Sequence, residues 1–553
     1  MSPNSPGASP PETSTRIPVD FRRFHWIRPF AADYAHRFSS VASFFSGDPA
    51  AHADWTAAIA RTQAQPRRRH EIAAVIAAQQ RRRGSPARAV ETAAQLTDAN
   101  TIAIVTGQQA GLFGGPLFTL LKALTALKLA DDVARQHHVP AVAVFWVEAE
   151  DHDWDEVRSC TVLDDQFEPR TVALPPQPGG DPSPVAQITL DASIQSVIDE
   201  LAHILPATEF TPGLIEELRQ AYAPGVGMAD AFARWIERVL GPRGLIVYDA
   251  SDRAAKPLAA GVFVRELSSA GQTARLASAA GADMVARGYH AQVHAQDDSV
   301  ALFRLDGARR VIRQQNGVLV VGDQSYTTDA LVTEARDQPA GFSPGVLLRP
   351  IVQDALFPTA CYVAGPNELS YLGQLKAVYE HFGVPMPLMY SRASATVLDS
   401  ASIRFLTKYA VPLEALQPRD DAALNALLEA QLPPTVEAAF GTARDAIDAQ
   451  MSRLMQAVSA LDPTLEGAAK STMGRMQHDL ETFHGKMIQA AKRRHDTLRR
   501  QFIHARALAF PGGQPQERTV GFVSLLNQYG PALVDRLHDE LPLDMGHHWI
   551  VTI

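Results

Sequence analysis

The sequence contains very little cysteine. Only Cys160 and Cys361 occur among its 553 residues, and they lie far apart along the chain. Two cysteines in so long a chain cannot form the disulfide framework that stabilises small secreted domains. The protein is therefore expected to fold in a reducing compartment, the cytoplasm.

Long apolar runs are also absent. A membrane-spanning helix needs about eighteen or more apolar residues in succession, and no such stretch occurs. The most apolar segment, Leu117–Ala130, is interrupted by Lys122 and Lys128. The N-terminus is rich in proline and serine and has no apolar core of the kind found in signal peptides. Neither membrane association nor secretion is expected.

The sequence lacks an excess of basic residues. It has 51 Lys and Arg against 60 Asp and Glu, which gives a net charge of −9. This balance argues against nucleic-acid binding as the main activity. The length and the 46% hydrophobic content instead predict a globular protein with more than one folding unit.

Changes in patterning divide the chain into four predicted regions. They are a disordered N-terminus (1–16), an α/β core (17–410), a helical hairpin (411–510) and a C-terminal segment that packs back on the core (511–553). Two insertions are predicted within the core, a helical one at about 161–240 and a β-rich one at about 291–340. In the β-rich insertion, short alternating segments favour antiparallel strands.

The helical hairpin is predicted from a heptad repeat. Its first arm carries apolar residues spaced by seven, namely Phe440, Ile447, Leu454 and Leu461, with Met451 and Val458 at the interleaved positions. Residues 462–467 form a Pro/Gly turn. The second arm repeats the pattern with two rows, Met473, Leu480 and Met487, and Met476, Phe483 and Ala490. We expect these residues to form the internal seam of the hairpin, and the remaining exposed apolar surface to pair with a second copy of the chain.

A glycine-rich segment follows the first predicted buried strand, Ile102–Val105. Its glycines match neither the GxGxxG fingerprint nor the P-loop, and they are Gly107, Gly111, Gly114 and Gly115. Pro116 is well placed at the start of the helix that follows. Because a helix start presents free N–H groups to anions, the turn is predicted to bind a phosphate or carboxylate, with Gln108 and Gln109 at its mouth and Lys122 on the helix. Tight packing is the alternative explanation for the glycines.

Acidic residues follow the second predicted strand, Val139–Val147. The candidate catalytic residues are Glu150, Asp151, His152 and Asp153. If the strand continued, alternate side chains would face opposite sides. Crowded carboxylates raise at least one pKa, which suits a general base. A Mg²⁺ site is an alternative. Zinc is disfavoured because no second His or Cys lies nearby, and no metal ligand is assigned. A solvated acidic loop is the simplest explanation.

A third polar cluster lies between Arg349 and Arg392. Its central residues, on a turn and the helix after it, are Gly365, Asn367, Glu368 and Tyr371. The two arginines are predicted to clamp a carboxylate or phosphate, and structural ion pairing is the alternative. Cys361 lies in an apolar strand and is predicted to be a buried hydrophobic residue, not a nucleophile.

Five segments, in order along the chain, resemble the cysteine-adding enzymes of bacillithiol biosynthesis, the BshC family. They are TGQQAGLFGGPLFTLLKA, FWVEAEDHDWDEV, LLRPIVQD with PTACYVAGPNELSYLGQLK, FGVPMPLMYSR, and QERTVGFVSLLNQYGP. One departure concerns Asn367, where the family pattern usually has Gly. Asn tolerates positive φ better than most residues, so the turn can be preserved.

The resemblance implies a fold and a reaction. The fold would be α/β, with a Rossmann-like parallel-sheet core, inserted connecting segments and an antiparallel α-helical coiled-coil domain that mediates homodimers. The reaction would add cysteine to the amine of glucosaminyl-malate (GlcN-Mal). Because amide formation needs an activated carboxyl, ATP or another nucleotide is expected as cofactor, with Mg²⁺ as a further candidate. Asn527 and Tyr529, in the last segment, are candidate nucleotide contacts.

Two other functions are compatible with the sequence. One is a nucleotidyltransferase or adenylate-forming enzyme that acts on another small substrate. The other is a non-catalytic binding protein that carries a coiled coil. The intact acidic and GQQ segments favour an enzyme.

Overall fold

The computed structural model describes residues 16–177, 183–293, 296, 298–431, 434–494 and 496–553. The predicted disordered N-terminus therefore lies outside the described residues, except for Arg16, which begins a strand.

Fifteen strands occur in the described residues. In chain order they are β1 (Arg16–Asp20), β2 (Ile102–Gln109), β3 (Ala141–Glu148), β4 (Ser159–Leu163), β5 (Pro169–Ala173), β6 (Ile246–Asp249), β7 (Ser299–Leu305), β8 (Arg309–Gln315), β9 (Val318–Val321), β10 (Gln324–Tyr326), β11 (Phe342–Pro344), β12 (Thr359–Ala364), β13 (Leu388–Ser391), β14 (Ser394–Leu398) and β15 (His547–Thr552).

The α-helices are numbered in the same way. The first eleven are α1 (Pro29–His36), α2 (His52–Ala64), α3 (Arg69–Arg83), α4 (Ala87–Ala94), α5 (Leu117–His137), α6 (Trp154–Val157), α7 (Ser193–Ile204), α8 (Thr211–Ala221), α9 (Met228–Leu240), α10 (Lys256–Ser268) and α11 (Gln272–Ala286). The others are α12 (Thr328–Asp337), α13 (Arg349–Leu356), α14 (Glu368–Gly373), α15 (Lys376–Phe382), α16 (Ser400–Tyr409), α17 (Ala422–Glu429), α18 (Pro434–Leu461), α19 (Glu466–Arg494), α20 (Asp496–Ala509), α21 (Gln516–Thr519), α22 (Phe522–Tyr529) and α23 (Ala532–Glu540). Of these described helices, none combines the length and apolarity needed to cross a membrane.

A parallel five-stranded sheet forms the centre of the core. Its order is β13-β12-β2-β3-β6, so that β2, the first of these strands in the chain, lies in the middle. β2 and β3 pair along their whole length, from Ile102 opposite Ala141 to Gln109 opposite Glu148. This is the doubly wound order, with its topological switch point between β2 and β12. The Rossmann-like parallel-sheet fold predicted from the sequence is confirmed.

The strands are apolar because both faces of the sheet are covered. Along β2 and β3, side chains alternate between two cores. Ile104 and Phe145 belong to the core that includes the leucines of α5. Val105 and Val144 belong to the core on the other face. The apolar runs that identified these strands in the sequence therefore follow from burial on both faces.

Two insertions extend this core. The first opens with an antiparallel hairpin of β4 and β5, which the sequence did not indicate, and continues with α7, α8 and α9. The second is an antiparallel sheet in the order β10-β9-β8-β7-β11, as the alternating pattern predicts. After α23 the chain returns to the core, where β15 pairs antiparallel with β1. Residues 516–551 accordingly belong to the same compact unit as the residues up to Val397.

Residues 398–515 form a second compact unit. In it α18 and α19 make the predicted antiparallel hairpin, with a short 3-10 turn at Pro463–Leu465 between them. The predicted seam is wrong in part. Met451 and Ile488 are buried, but Leu454, Met476 and Phe483 are 50%, 40% and 57% exposed. A two-helix hairpin has only one internal face, which is too narrow to bury both predicted rows.

Candidate active site

The polar segments on either side of the switch point meet at the carboxyl edge of the parallel sheet. Lys122, on α5, is buried. Its ammonium donates to the carbonyl oxygen of Gly107 over 2.9 Å and to Oε1 of Gln108 over 3.1 Å. The same ammonium pairs with the carboxylate of Glu368 at the start of α14. Burial lowers the pKa of Lys122, while Glu368 opposes the shift. Lys122 therefore joins the end of β2 to the segment after β12.

Arg349 supplies a second cation at this edge. It begins α13, its guanidinium carbon lies 5.6 Å from the ring centroid of Tyr362, and Nη1 donates to Oε1 of Gln353 over 3.0 Å. Burial would lower the pKa of Arg349, but Tyr362, Tyr371 and Glu148 together raise it above its usual range. Burial also raises the pKa of Tyr371 to about 12. The Tyr371 phenol is therefore protonated at neutral pH and can donate a hydrogen bond to an anion.

The acidic segment lies beyond the end of the strand. β3 ends at Glu148, one residue after the predicted end at Val147, and residues 150–153 have irregular backbone, so the side-chain alternation that a continued strand would give does not occur. The reason is that no neighbouring strand continues. β2 ends at Gln109, opposite Glu148, and β6 pairs with β3 only as far as Val147.

Glu150 turns into the interior of the protein. It is 5% exposed and pairs with the ammonium of Lys256, which also donates to the carbonyl oxygen of Phe342 over 3.2 Å. Burial raises the pKa of Glu150 to about 7, although Lys256 opposes the shift. A carboxyl group that is half ionised near neutral pH can accept and release a proton, as a general base must.

The other predicted catalytic residues lie nearer the surface. Oδ1 of Asp151 accepts from the backbone N–H of His152 over 2.8 Å and from Nη1 of Arg309 over 3.1 Å. The side-chain amide of Gln109 lies between the carboxylates of Asp151 and Glu156, and its nitrogen donates to Oε2 of Glu156 over 3.1 Å. His152 and Asp153 are exposed. The structure therefore brings the GQQ segment and the acidic segment together through Gln109, which lies against Glu156 and Asp151.

Three charged residues at this edge were not selected from the sequence. Glu148 stands in the acidic segment itself, and its Oε2 accepts from the indole N–H of Trp146 over 3.1 Å. Lys256 begins α10 and Arg309 begins β8, and neither belongs to a motif. Glu148 could have been found by extending the acidic segment by two residues. The other two become apparent only in the folded chain.

The acidic segment does not form a metal site. Lys256 neutralises Glu150, and Arg309 neutralises Asp151. Within the described part of the chain, no three His, Cys, Asp or Glu side chains are arranged to hold a metal ion. These side chains do not fit the resident Mg²⁺ that the sequence offered as an alternative.

The glycine-rich turn is not the anion cradle predicted from the sequence. The backbone N–H of Leu117, at the start of α5, donates to the carbonyl oxygen of Val520 over 2.8 Å. The N–H of Phe522 donates to the carbonyl oxygen of Gly115 over 3.3 Å. Gly114 and Gly115 are buried, with φ of +93° and +75°. The C-terminal segment thus covers the helix start, and packing explains these glycines.

We expect Gly114→Ala to destabilise the protein by roughly 2–4 kcal/mol, because the variant combines overpacking with an unfavourable φ. A Cβ at this position would lie 2.3 Å from the ring of Phe522. Urea denaturation measures the loss. Gly213→Ala is the control, since Gly213 lies on α8 with no atom within 4 Å of its Cβ position. If the Gly114→Ala protein is as stable as wild type but no longer binds anionic substrates, the turn binds anions as the sequence predicted.

Gly365 and Asn367 shape the turn before α14. A Cβ at Gly365 would lie 2.9 Å from Oε1 of Glu368, so a glycine permits this close approach. Asn367 has φ −77°, which any residue adopts, and the departure from the family's glycine leaves the turn intact. Its Oδ1 is buried and has no hydrogen-bond partner among the described residues. Because buried acceptors need donors, this atom is available to a ligand or to water.

Arg392 does not serve as a substrate clamp. It is 3% exposed, and its Nη1 and Nη2 donate to the two carboxylate oxygens of Glu517 over 3.1 and 2.8 Å. Ser394 adds a hydrogen bond of 2.9 Å to the same carboxylate, and also contacts His548, whose pKa burial lowers to about 4. The guanidinium therefore holds the C-terminal segment against the sheet. For Arg392, structural ion pairing, which the sequence analysis gave as the alternative, is the correct explanation.

Asn527 is also structural. It is fully buried, its Oδ1 accepts from the hydroxyl of Thr211 over 2.8 Å, and its Nδ2 donates to the carbonyl oxygen of Pro206 over 2.8 Å. Both ends of the amide are therefore bound within the chain, which corrects the prediction of a nucleotide contact. Tyr529 is partly buried against the core beneath α5.

Comparisons with known proteins cover nearly the whole chain. Residues 17–393 match a family model described as "Bacillithiol biosynthesis BshC, N-terminal Rossmann-like domain", and residues 395–553 match "Bacillithiol biosynthesis BshC, C-terminal coiled-coil domain". A relative from Salinibacter ruber is 35% identical over 94% of this chain and 95% of its own. Relatives from Chlorobaculum tepidum (35%, 80% and 81%) and Symbiobacterium thermophilum (34%, 86% and 88%) are similar. All three are named "Putative cysteine ligase BshC".

The two models match consecutive parts of the chain, and their domain types agree with the parallel sheet and the helical hairpin described above. Fold, motifs and relatives thus lead to one assignment. The chain belongs to the BshC family of bacillithiol biosynthesis proteins.

Proposed function

We propose that the protein is a ligase that joins the carboxyl group of L-cysteine to the amine of GlcN-Mal and so forms bacillithiol. The names of its relatives support a cysteine ligase. The observation that carries the proposal is the pairing of two features at one sheet edge. Arg349 offers positive charge near the switch point, where Glu368 pairs with Lys122, and Glu150 offers a carboxyl with a pKa of about 7 at the end of β3.

The acid–base requirement of the reaction matches Glu150. The amine nitrogen attacks an activated carbonyl carbon, and the C–N bond forms as the bond from carbon to the leaving oxygen breaks. The nitrogen must also lose a proton, and the Glu150 carboxylate accepts it. Asp151, His152 and Asp153 follow directly in the chain and orient the amine.

The reaction also needs positive charge beside the leaving group, and the switch point supplies it. An activated carboxyl is an acyl phosphate or an acyl adenylate, both mixed anhydrides, so negative charge collects on the phosphate or AMP that leaves. Arg349 stabilises this charge, and Tyr371 donates a hydrogen bond. The amides of Gln108 and Gln109 line the same edge, and Glu368 holds the lysine in place.

ATP or another nucleotide is the proposed activating agent, and the product that it releases identifies the intermediate. An acyl phosphate releases phosphate, and an adenylate releases pyrophosphate. We expect purified protein to sustain the release of one of these from ATP over many turnovers only when cysteine and GlcN-Mal are both present. ATP turnover that is indifferent to both substrates would contradict the proposal. We also propose a cytoplasmic location. Both cysteines of the protein are free thiols, as is usual in a reducing compartment.

The helical hairpin is the proposed dimer interface. Leu454 on α18, and Met476 and Phe483 on α19, are exposed apolar residues, and the latter two are spaced by one heptad. Apolar side chains in such a row favour association with another helix. A homodimer would bury them.

We expect the intact chain to be a dimer at micromolar concentration, and Met476→Asp/Phe483→Asp to be a monomer. Each apolar side chain contributes roughly 1.5–3 kcal/mol when buried, so the double variant raises the dissociation constant by at least about 100-fold. Light scattering measures the mass. Glu481→Ala, an exposed change on the same helix, is the control and stays dimeric. An intact chain that is monomeric at this concentration would contradict the interface.

A further inference from the structure

A cavity opens beside Glu150, on the side of β3 where β6 lies. Its volume is about 710 Å³, and its lining combines Glu150 and Lys256 with the segment after β6, the hairpin between β7 and β8, and the end of α12. Lys122, Arg349 and Tyr371 do not line it. Both this cavity and the switch point lie at the carboxyl edge of the parallel sheet, where ligands bind in folds of this kind.

The charges in this cavity are only partly paired. Lys256 neutralises Glu150, and Arg304 donates to Oε1 of Glu334 over 2.9 Å. Arg253 has no carboxylate partner among the residues that the structure describes, and Asp337 has no cationic one. Arg253 and Asp337 are both exposed at the cavity rim. The cavity thus presents one unpaired cation and one unpaired anion to a ligand.

This arrangement suits a polar molecule that carries both a carboxylate and an ammonium group. A guanidinium binds a carboxylate through two parallel hydrogen bonds. The carboxylates of Asp337 and Glu150 can accept from an ammonium group. An apolar ligand would leave these groups unsatisfied.

The volume of the cavity favours GlcN-Mal, the larger of the two proposed substrates. Pockets for small molecules usually measure about 300–1,000 Å³ and enclose most of the ligand. Free cysteine would leave most of a 710 Å³ cavity unfilled. An amino sugar joined to a dicarboxylic acid fills it better, and only that molecule combines an amine, hydroxyls and two carboxylates.

We propose that this cavity binds the amine-bearing acceptor, with a carboxylate at Arg253 and the amine directed toward Glu150 at its floor. The activated cysteine then lies on the switch-point side of the same glutamate. This inference rests on the proposed function, because it assigns one of the two substrates to each side of Glu150.

Separate kinetic constants for the two substrates test the assignment. We expect Arg253→Met to raise the KM for GlcN-Mal by roughly 10–100-fold, because losing one charge-assisted hydrogen bond weakens binding by about that factor. The KM for cysteine should stay within about twofold of wild type. Arg336→Met is the matched control, because Arg336 is an exposed arginine on α12 that does not line the cavity. An unchanged KM for GlcN-Mal, or an increase confined to cysteine, would overturn the assignment.

Calorimetry separates this inference from the proposed reaction. Wild-type protein should bind GlcN-Mal without ATP or cysteine, and Arg253→Met should bind it more weakly. Glucosamine, which lacks the carboxylates, should bind both proteins equally. If the wild type binds GlcN-Mal in this way but forms no amide, the proposed function fails and the cavity assignment stands. If binding is absent, or is indifferent to Arg253, the assignment fails whatever the activity.

Discussion

Glu150→Gln should reduce the rate of amide formation by about 10² to 10⁴-fold, the usual cost of removing a positioned general base. The amide side chain has nearly the same shape but cannot accept the proton. In the wild type the rate should rise with pH through about 7, because the Glu150 carboxyl ionises there. The variant should lose this limb of the pH profile, which steady-state kinetics between pH 5.5 and about 8.5 would record.

A control is needed because Glu150→Gln leaves the Lys256 ammonium buried without its carboxylate. Such a charge destabilises a fold, so loss of activity could reflect unfolding. The double variant Glu150→Gln/Lys256→Gln removes both charges and should recover stability without recovering activity. Asp155→Asn alters an exposed carboxylate of the same segment and should leave the rate unchanged. If Glu150→Gln retains the wild-type rate and pH profile, another group is the base.

Glu517→Gln should lower the free energy of unfolding by about 3–5 kcal/mol, the range found when one partner of a buried ion pair is removed. The variant leaves Arg392 with a buried charge and no carboxylate. Urea denaturation followed by tryptophan fluorescence measures the loss. Arg392→Met/Glu517→Met removes both charges and should recover part of it. A Glu517→Gln protein as stable as wild type would show that this pair does not hold the C-terminal segment.

The pH dependence of this difference has a definite sign. Burial alone would raise the pKa of Glu517, but Arg392 outweighs it and lowers the pKa from 4.5 to about 2. Ionisation therefore favours the folded state. The stabilisation is complete above pH 4.5 and is lost as the pH falls toward 2. Wild type and Glu517→Gln should accordingly converge in stability in strong acid.

The sequence predicted the parts of the fold that depend on local patterns. β2 and β3 are continuous apolar runs because both faces of the sheet are covered, and the heptads of α18 and α19 specify a helical hairpin. The seam of the hairpin was predicted less well. Phe483 and Met476 have the spacing of core residues, and spacing alone does not distinguish an internal face from an exposed one.

Other parts of the site could not be predicted because they depend on contacts between distant segments. Gly114 and Gly115 have the composition of an anion-binding turn, but Phe522, about 400 residues later, covers them. Arg392 stands beside the motif that carries Glu368, yet its partner Glu517 comes from the C-terminal segment. In each case the residue type was informative about chemistry, and only the folded chain shows which partner it meets.

The identity of the product tests the proposed ligation most directly. Purified protein would be incubated with cysteine, ATP and GlcN-Mal labelled with ¹⁵N at its amine, and the mixture analysed by mass spectrometry. We expect a species with the mass of the labelled acceptor plus cysteine minus one water, with the ¹⁵N in the new amide bond. Complete conversion of ATP without this species, or a product in which the labelled nitrogen remains a free amine, would contradict it.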